Sequence, residues 1–291
     1  MKTVFVAGAT GYLGRYLCAE YSRRGWYVIA LVRNVQTAGP LTADSIVEAQ
    51  ATLPDSLIGL MDGADLVVSA LGITRQTDGL SYRDVDFQAN INLLRAAERA
   101  GVRQFAYIHV LNADAMRQVP LVAAKTAFVD ALKASLINET IVAPSGYFSD
   151  MGEVLSMAQS GRIWLFGTGH ARINPIHGAD LATVVADATD AERKWVDAGG
   201  PETFTQTQLA ECAFKAISRP SRIAYLPDAL RKFLLSVLPW VTPRRILGPL
   251  QFFLTATTMD MVGPAYGEIR LSQHFQTQAN STQDKPQGAT P

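Results

Sequence analysis

Cysteine is scarce in this sequence, with two, Cys18 and Cys212, among 291 residues. They lie far apart within helix-like patterns, which excludes a disulfide-stapled secreted fold and points to two reduced thiols in a cytosolic protein. Histidine is nearly as rare, with four, and neither His170 nor His274 has a histidine or cysteine at ligand spacing. No metal site is therefore expected. Net charge is missing too: 26 basic residues offset 26 acidic ones, so no overall field draws in nucleic acid or an anionic membrane. No uncharged apolar run reaches the roughly 20 residues that a membrane-spanning helix needs. A Gly-x-Ser-x-Gly elbow is absent, which removes the usual hydrolase nucleophile. No internal repeat is evident. The first strand-like run opens at Lys2, leaving no room for a signal or transit peptide, so a soluble, cytoplasmic protein is the expectation.

What is present is a core-forming chain, 48% hydrophobic, with strand and helix patterns in alternation. Thr3-Val4-Phe5-Val6-Ala7 is a continuous apolar run of strand length, as in a parallel strand buried on both faces. A helix pattern follows (Tyr12, Leu13, Tyr16, Leu17, Tyr21) and stops near Gly25. Further strands read at Tyr27–Val32, Ser45–Ala49, Asp65–Ala70, Phe105–Ile108 and Thr140–Ala143. Between them come a helix of about 20 residues ending at Gly101 and another around Lys125 to Lys133. This rhythm predicts an α/β fold with a doubly wound parallel Rossmann sheet over residues 1–150. After Pro144 the pieces shorten, predicting a smaller substrate-side region over 151–275 whose segments partly rejoin the sheet. Residues 276–291 are polar and rich in Gln, Thr and Pro, and read as a disordered tail.

The chemistry starts in the turn Gly8-Ala9-Thr10-Gly11-Tyr12-Leu13-Gly14. Strand before and helix after give this glycine pattern its full context. Gly8 allows a tight turn, Gly11 lets a pyrophosphate approach the main chain, and Gly14 lets the helix pack against the strand. The phosphates would sit at the helix N-terminus, where free N–H groups and the dipole favour anions. The second strand runs into Arg33, where NAD binders usually place a carboxylate for the ribose 2′-hydroxyl. A guanidinium there suits a 2′-phosphate. This favours NADP, with NAD as the alternative should Arg33 be only a solvated strand-end arginine.

The spacing Gly8-xx-Gly11-xx-Gly14 resembles that of the extended and atypical short-chain dehydrogenase/reductases. Within them it is most similar to the NmrA-like branch, with the isoflavone-reductase-like enzymes and the Rossmann-type accessory subunit of respiratory complex I. Ser69-Ala70-Leu71-Gly72 falls where the family's fourth strand passes the cofactor. Asp86 to Gly101 resembles its central helix, with Asn90 at the usual asparagine. Lys125 stands where the family carries a catalytic lysine. Pro144-Ser145-Gly146-Tyr147-Phe148 resembles the RPxxF loop beside the nicotinamide, and Pro175 to Ala182 resembles the later PIHVxDLA segment. The resemblance implies a cofactor site of Gly8, Thr10, Gly11, Tyr12, Leu13, Gly14, Arg33, Leu71, Gly72, Lys125, Pro144 and Phe148.

It also exposes a departure. Catalytic members carry a proton-donating tyrosine four residues before the lysine, and here that residue is Leu121, which has no proton to give. The usual serine position is His109. Three accounts stay open: Lys125 alone orients the ribose and protonates a product, His109 or Tyr147 supplies the proton, or the dinucleotide is a structural or sensed ligand and nothing turns over. His177 and Asp180 read as holding and capping the start of the helix from Ala179. Asp228 to Arg245 carries an apolar stripe (Leu230, Phe233, Leu234, Val237, Leu238) beside Arg231, Lys232, Arg244 and Arg245, followed by a second apolar cluster at Leu250, Phe252, Phe253 and Leu254. Residues 228–254 thus read either as packing against the chain itself or a protein partner, or as a peripheral membrane contact. The expected activity is NADPH-dependent reduction of a small or lipophilic carbonyl, alkene or quinone-like molecule; the alternative is a non-catalytic redox sensor or complex-assembly protein.

Overall fold

The computed structural model describes residues 1–73 and 79–283. Its centre is a seven-stranded, all-parallel sheet made of β1 (Thr3–Ala7), β2 (Tyr27–Val32), β3 (Ser45–Glu48), β4 (Leu66–Ser69), β5 (Gln104–Ile108), β6 (Asn138–Pro144) and a seventh strand, Trp195–Ala198. In space the order is β3-β2-β1-β4-β5-β6 and then Trp195–Ala198 at the far edge. The chain winds outward in both directions from the β1–β4 pair. That reversal opens a crevice at the C-terminal ends of those two strands, the place where open α/β sheets bind ligands.

Alternation along β1 shows why the sheet is covered on both sides. Val4 and Val6 pack with Leu17, Tyr21, Leu181 and Val185 of helices α1 (Tyr12–Arg23) and α5 (Gly178–Asp190). Phe5 and Ala7 point the other way, into a core with Leu93 of α2 (Asn90–Arg99) and Phe128 and Leu132 of α3 (Pro120–Lys133). Successive strand residues face opposite sides, so an uninterrupted apolar run is what a doubly covered strand requires.

The remaining elements gather beyond β6. They are α4 (Phe148–Gln159), the parallel pair β7 (Ile163–Phe166) and β11 (Ile223–Leu226), the short antiparallel pair β8 (Arg172–Ile173) and β10 (Phe204–Thr205), α6 (Gln206–Ala216), α7 (Asp228–Val241), α8 (Arg244–Ala256) and α9 (Leu271–Gln283). The sheet-edge strand Trp195–Ala198 is β9 in this order. Phe148, Leu155, Leu209, Phe214, Leu271 and Phe275 form the core of this region. Among the described residues no helix is long and apolar enough to cross a membrane.

Two expectations need correction. The helix of about 20 residues is not one α-helix: Arg83–Ala89 is a π-helical stretch that runs into α2. The tail expected from 276 is helical as far as Gln283, because Leu271, Phe275 and Ala279 are spaced by four and buried. Composition averaged over the polar tract hid that stripe. Residues 284–291 lie outside the described residues.

Helices α1 and α5 are locked together by Arg24. Its guanidinium meets Glu20 at 2.8 Å on its own helix, then Asp187 at 2.6 Å and Asp190 at 2.8 Å on α5. Glu20 is buried, and hydrogen bonds from Arg23 and then Arg24 hold its carboxyl below the ordinary value, against the effect of burial. Removing the clamp by Arg24→Ala is expected to lower unfolding stability by about 2 kcal/mol, seen as a lower denaturant midpoint. The Glu20 contribution is complete above its unfolded value of 4.5 and is lost as pH falls through the lower folded value. Glu20→Gln should therefore flatten the acid limb of the stability profile, and an unchanged limb would remove Glu20 from the clamp.

Candidate functional site

The crevice is built where three stretches of backbone meet. Gly8 leaves β1 with φ +79°, and a Cβ there would stand 2.8 Å from the Ala70 carbonyl oxygen at the end of β4. Only glycine satisfies both the dihedral and the approach. A Cβ on Gly14 would overlap the Gly8 carbonyl oxygen, so α1 can lie this close to the strand exit only without a side chain there. Gly11 donates its N–H to Gly8 O at 2.9 Å and is the N-cap of α1. It has no side chain to cap the helix, and the first turn holds no acid. The helix start is thus left with N–H groups and a positive dipole end facing the crevice, which fits a dinucleotide pyrophosphate.

At the adenosine side, Arg15 straps the loop after β2 to the glycine turn. Its guanidinium donates to Thr10 O at 3.2 Å, Ala38 O at 2.7 Å and Pro40 O at 2.7 Å. Arg33 is exposed directly after β2. The following turn is ordered by Asn34, whose Oδ1 accepts from Gln36 and Thr37 N–H, and by Glu48, whose carboxylate accepts from Val35 N–H at 2.9 Å.

Towards the other end, the loop Leu71-Gly72 passes over a buried ion pair. A Cβ on Gly72 would lie 2.6 Å from Asp86 Oδ1 and 3.2 Å from Lys125 Nζ. Lys125 Nζ is 3.5 Å from Asp86 Oδ1, donates to Ile108 O at 3.2 Å and lies 3.4 Å from the Tyr107 hydroxyl. Asp86 is completely buried; desolvation pushes its carboxyl above the usual range, against the pull of the Lys125 ammonium and the Ile73 N–H. Asn90 braces this corner. Its amide donates to Val85 O and Asp86 O in the π-helical stretch, and its oxygen accepts from Ser69 Oγ at 2.6 Å. Asp86 and Tyr107 were missed in the sequence, although an acid set between Val85 and Phe87 was a signal.

His109, on the same face of β5 as Tyr107, is buried against Trp195 with 5.8 Å between ring centroids. Its Nδ1 has no hydrogen-bond partner among the described residues. Burial, then the charges of Lys125 and Lys133, lower its pKa to about 3, so the ring is neutral at physiological pH. Tyr147 is in ring contact with Tyr12, with 5.9 Å between centroids, and burial raises its pKa. The Tyr12 hydroxyl accepts from Gly178 N–H, joining the glycine turn to the start of α5, and burial pushes its pKa up to about 12. Leu13, Pro144 and Phe148 are all buried. His177 is the N-cap of α5, accepting from Ala179 N–H, and Asp180 accepts from Ile269 N–H.

The wall beside Lys125 is apolar. Leu121 and, from α8, Phe252 pack against the buried cluster that includes Met116, Val119 and Val122. The backbone of α8 at Gly248 presses on the Tyr82 ring, where no Cβ would fit. Among the described residues no group of three or more His, Cys, Asp or Glu converges as a metal site would require.

The sequence profile of an NAD(P)H-binding family matches residues 8–192. The chain is 27% identical to the photosystem II assembly factor Ycf39 of Synechocystis sp., over 80% of this chain and 73% of the relative. It is also 27% identical to the chloroplastic divinyl chlorophyllide a 8-vinyl-reductase of Arabidopsis thaliana, over 91% of this chain and 71% of that one. Among solved structures, an NADPH-dependent quinone oxidoreductase of Escherichia coli in complex with NADPH superposes with a TM-score of 0.74, over 94% of this chain and 99% of that chain. At 19% identity the last likeness speaks for the fold. With the glycine cradle and the switch-point crevice in place, the chain belongs to the NAD(P)H-binding family, its Rossmann domain being of the NmrA-like, atypical short-chain dehydrogenase/reductase type.

Proposed function

We propose that this chain is an NADPH-dependent reductase of a lipophilic carbonyl, enone or quinone-like substrate, in which Lys125 takes over the task that a tyrosine performs elsewhere in the family. The observation that carries this reading is the Lys125–Asp86 pair, roofed by Gly72 and lying beside the Leu121 wall. NADPH supplies the hydride from its nicotinamide. Reduction of a carbonyl, enone or quinone also consumes a proton, and Lys125 Nζ–H is the donor this chain places at that end of the crevice. Asp86 positions the ammonium; giving up the Lys125 proton would leave a buried carboxylate without its counter-charge, so the pair favours prompt reprotonation.

The cofactor residues divide by task. The N–H groups after Gly11, with Thr10, would hold the pyrophosphate, Arg33 the 2′-phosphate, and Leu71 and Gly72 the nicotinamide half. Tyr12 and Tyr147 shape the crevice. His109, held neutral, serves as packing or as a hydrogen-bonding group rather than as an acid. The apolar wall around Leu121 matches a lipophilic substrate.

A second reading is favoured by the leucine at 121: a dinucleotide-holding protein that assists an assembly without turnover, in keeping with the assembly factor among its relatives. The two readings part on substrate-dependent NADPH oxidation across a panel of prenylated quinones, enones and aldehydes. We expect turnover, with Lys125→Ala and Asp86→Asn each lowering kcat by about 100-fold at saturating NADPH. Bound NADPH that no member of the panel oxidises would establish the second reading instead. Arg33→Ala is expected to weaken NADPH binding by roughly 10-fold to 100-fold and leave NADH binding unchanged. Equal effects on both cofactors would reassign Arg33 to the solvated surface.

A further inference from the structure

The α7–α8 hairpin breaks the pattern of the rest of the molecule. Helix α7 is rich in leucine, valine and aromatic residues, yet none of its 14 residues is buried. Trp240 is 88% exposed, Val241 70% and Phe233 60%, and Ile246 and Phe253 of α8 extend the surface. Isolated exposed apolar side chains are ordinary; a contiguous set at the end of a helical hairpin marks a surface that is covered in use.

Charge indicates what covers it. The whole chain is neutral, but residues 229–259 hold four basic side chains, Arg231, Lys232, Arg244 and Arg245, and no acidic one. Asp228, just outside, pairs with both Arg231 and Lys232 and leaves the hairpin with an excess of positive charge. Trp240 stands in the last turn of α7, next to Pro239 and just before the turn that leads into α8. Exposed aromatic and aliphatic side chains on a segment with excess positive charge are the chemistry of the interface between hydrocarbon and anionic headgroups. Crossing is excluded on length: α7 spans about 21 Å, whereas the hydrocarbon layer is about 30 Å thick.

The other side of the hairpin faces the site. Arg231 donates to Leu254 O at 3.2 Å and ties the two helices together. Gly248 lies against Tyr82, and Phe252 and Ala256 join the apolar wall that holds Leu121. The geometry points to a docking surface for an anionic lipid bilayer, formed by Phe233, Trp240, Val241 and Ile246 on a segment with excess positive charge, on the element that roofs the substrate pocket. Docked there, the protein opens its apolar wall towards the lipid phase, and a lipophilic substrate reaches Lys125 without crossing water. This last step rests on the reductase reading above; the docking itself does not.

Flotation of the full chain with vesicles tests the docking, with NADPH binding measured on the same samples as the control for an intact cofactor site. The chain should float with vesicles containing phosphatidylglycerol, less with phosphatidylcholine alone, and less again as salt rises. The double variant Phe233→Ser/Trp240→Ser should lower partition by roughly tenfold or more, with NADPH binding kept, since both side chains are exposed. No flotation of NADPH-competent protein, or flotation that the double variant does not reduce, overturns the docking. So does a protein that stays off vesicles but forms a dimer, or binds a foreign protein, through a surface that the double variant abolishes. Absent NADPH binding with flotation intact would instead strike at the reductase reading.

Discussion

Everything in this molecule hangs on the crowding at Gly8. There the exit of β1, the start of α1 at Gly14 and the end of β4 at Ala70 come together at distances that leave no room for a Cβ on either glycine. Because the helix sits so near the strand, its N-terminus opens into the crevice instead of beside it. Because β4 passes on the other side, the loop Leu71-Gly72 is delivered over Lys125 and Asp86. The cofactor cradle and the proton-bearing pair are thus two ends of one backbone arrangement.

The second constraint is electrostatic. A buried carboxylate is costly unless it is matched, and Asp86 is matched by one ammonium and one peptide N–H. Matching of this kind fixes geometry more than it adds stability: Lys125 is held among Asp86, Ile108 O and the Tyr107 hydroxyl. Beside this lysine the wall at Leu121 is apolar and holds no proton donor. A lysine gripped from below keeps its ammonium in one place where a freely moving one would wander into solvent.

The parts of the structure legible in the sequence are those set by local patterns. Continuous apolar strands, the glycine spacing and the Gly25 helix stop are decided within a few residues, and β1, β2, β4, β5 and β6 lie where the sequence placed them. Arg15 was not legible as a strap, since its three carbonyl partners come from a turn and from a loop some 25 positions away. Asp86 and Tyr107 meet Lys125 only through the parallel ordering of β4, β5 and α3. The helix of Leu271–Gln283 escaped because three buried residues in a polar tract matter more than its average composition. His109 was read from its chemistry, whereas the fold decided its burial.

The π-helical stretch Arg83–Ala89 makes the chain sensitive to its own count. A π turn accommodates an extra residue without lengthening the helix, and here the Asn90 side-chain amide donates to the carbonyls of Val85 and Asp86. Loss of a single residue from this stretch would restore an ordinary α-helix and swing every preceding side chain by about 100° around the axis. Asp86 would leave Lys125 while the sheet, the cradle and the hydrophobic core stayed as they are. Insertions and deletions in surface loops leave such a fold untroubled; within these seven residues the spacing itself carries information, one step of the chain separating a paired ammonium from an abandoned one.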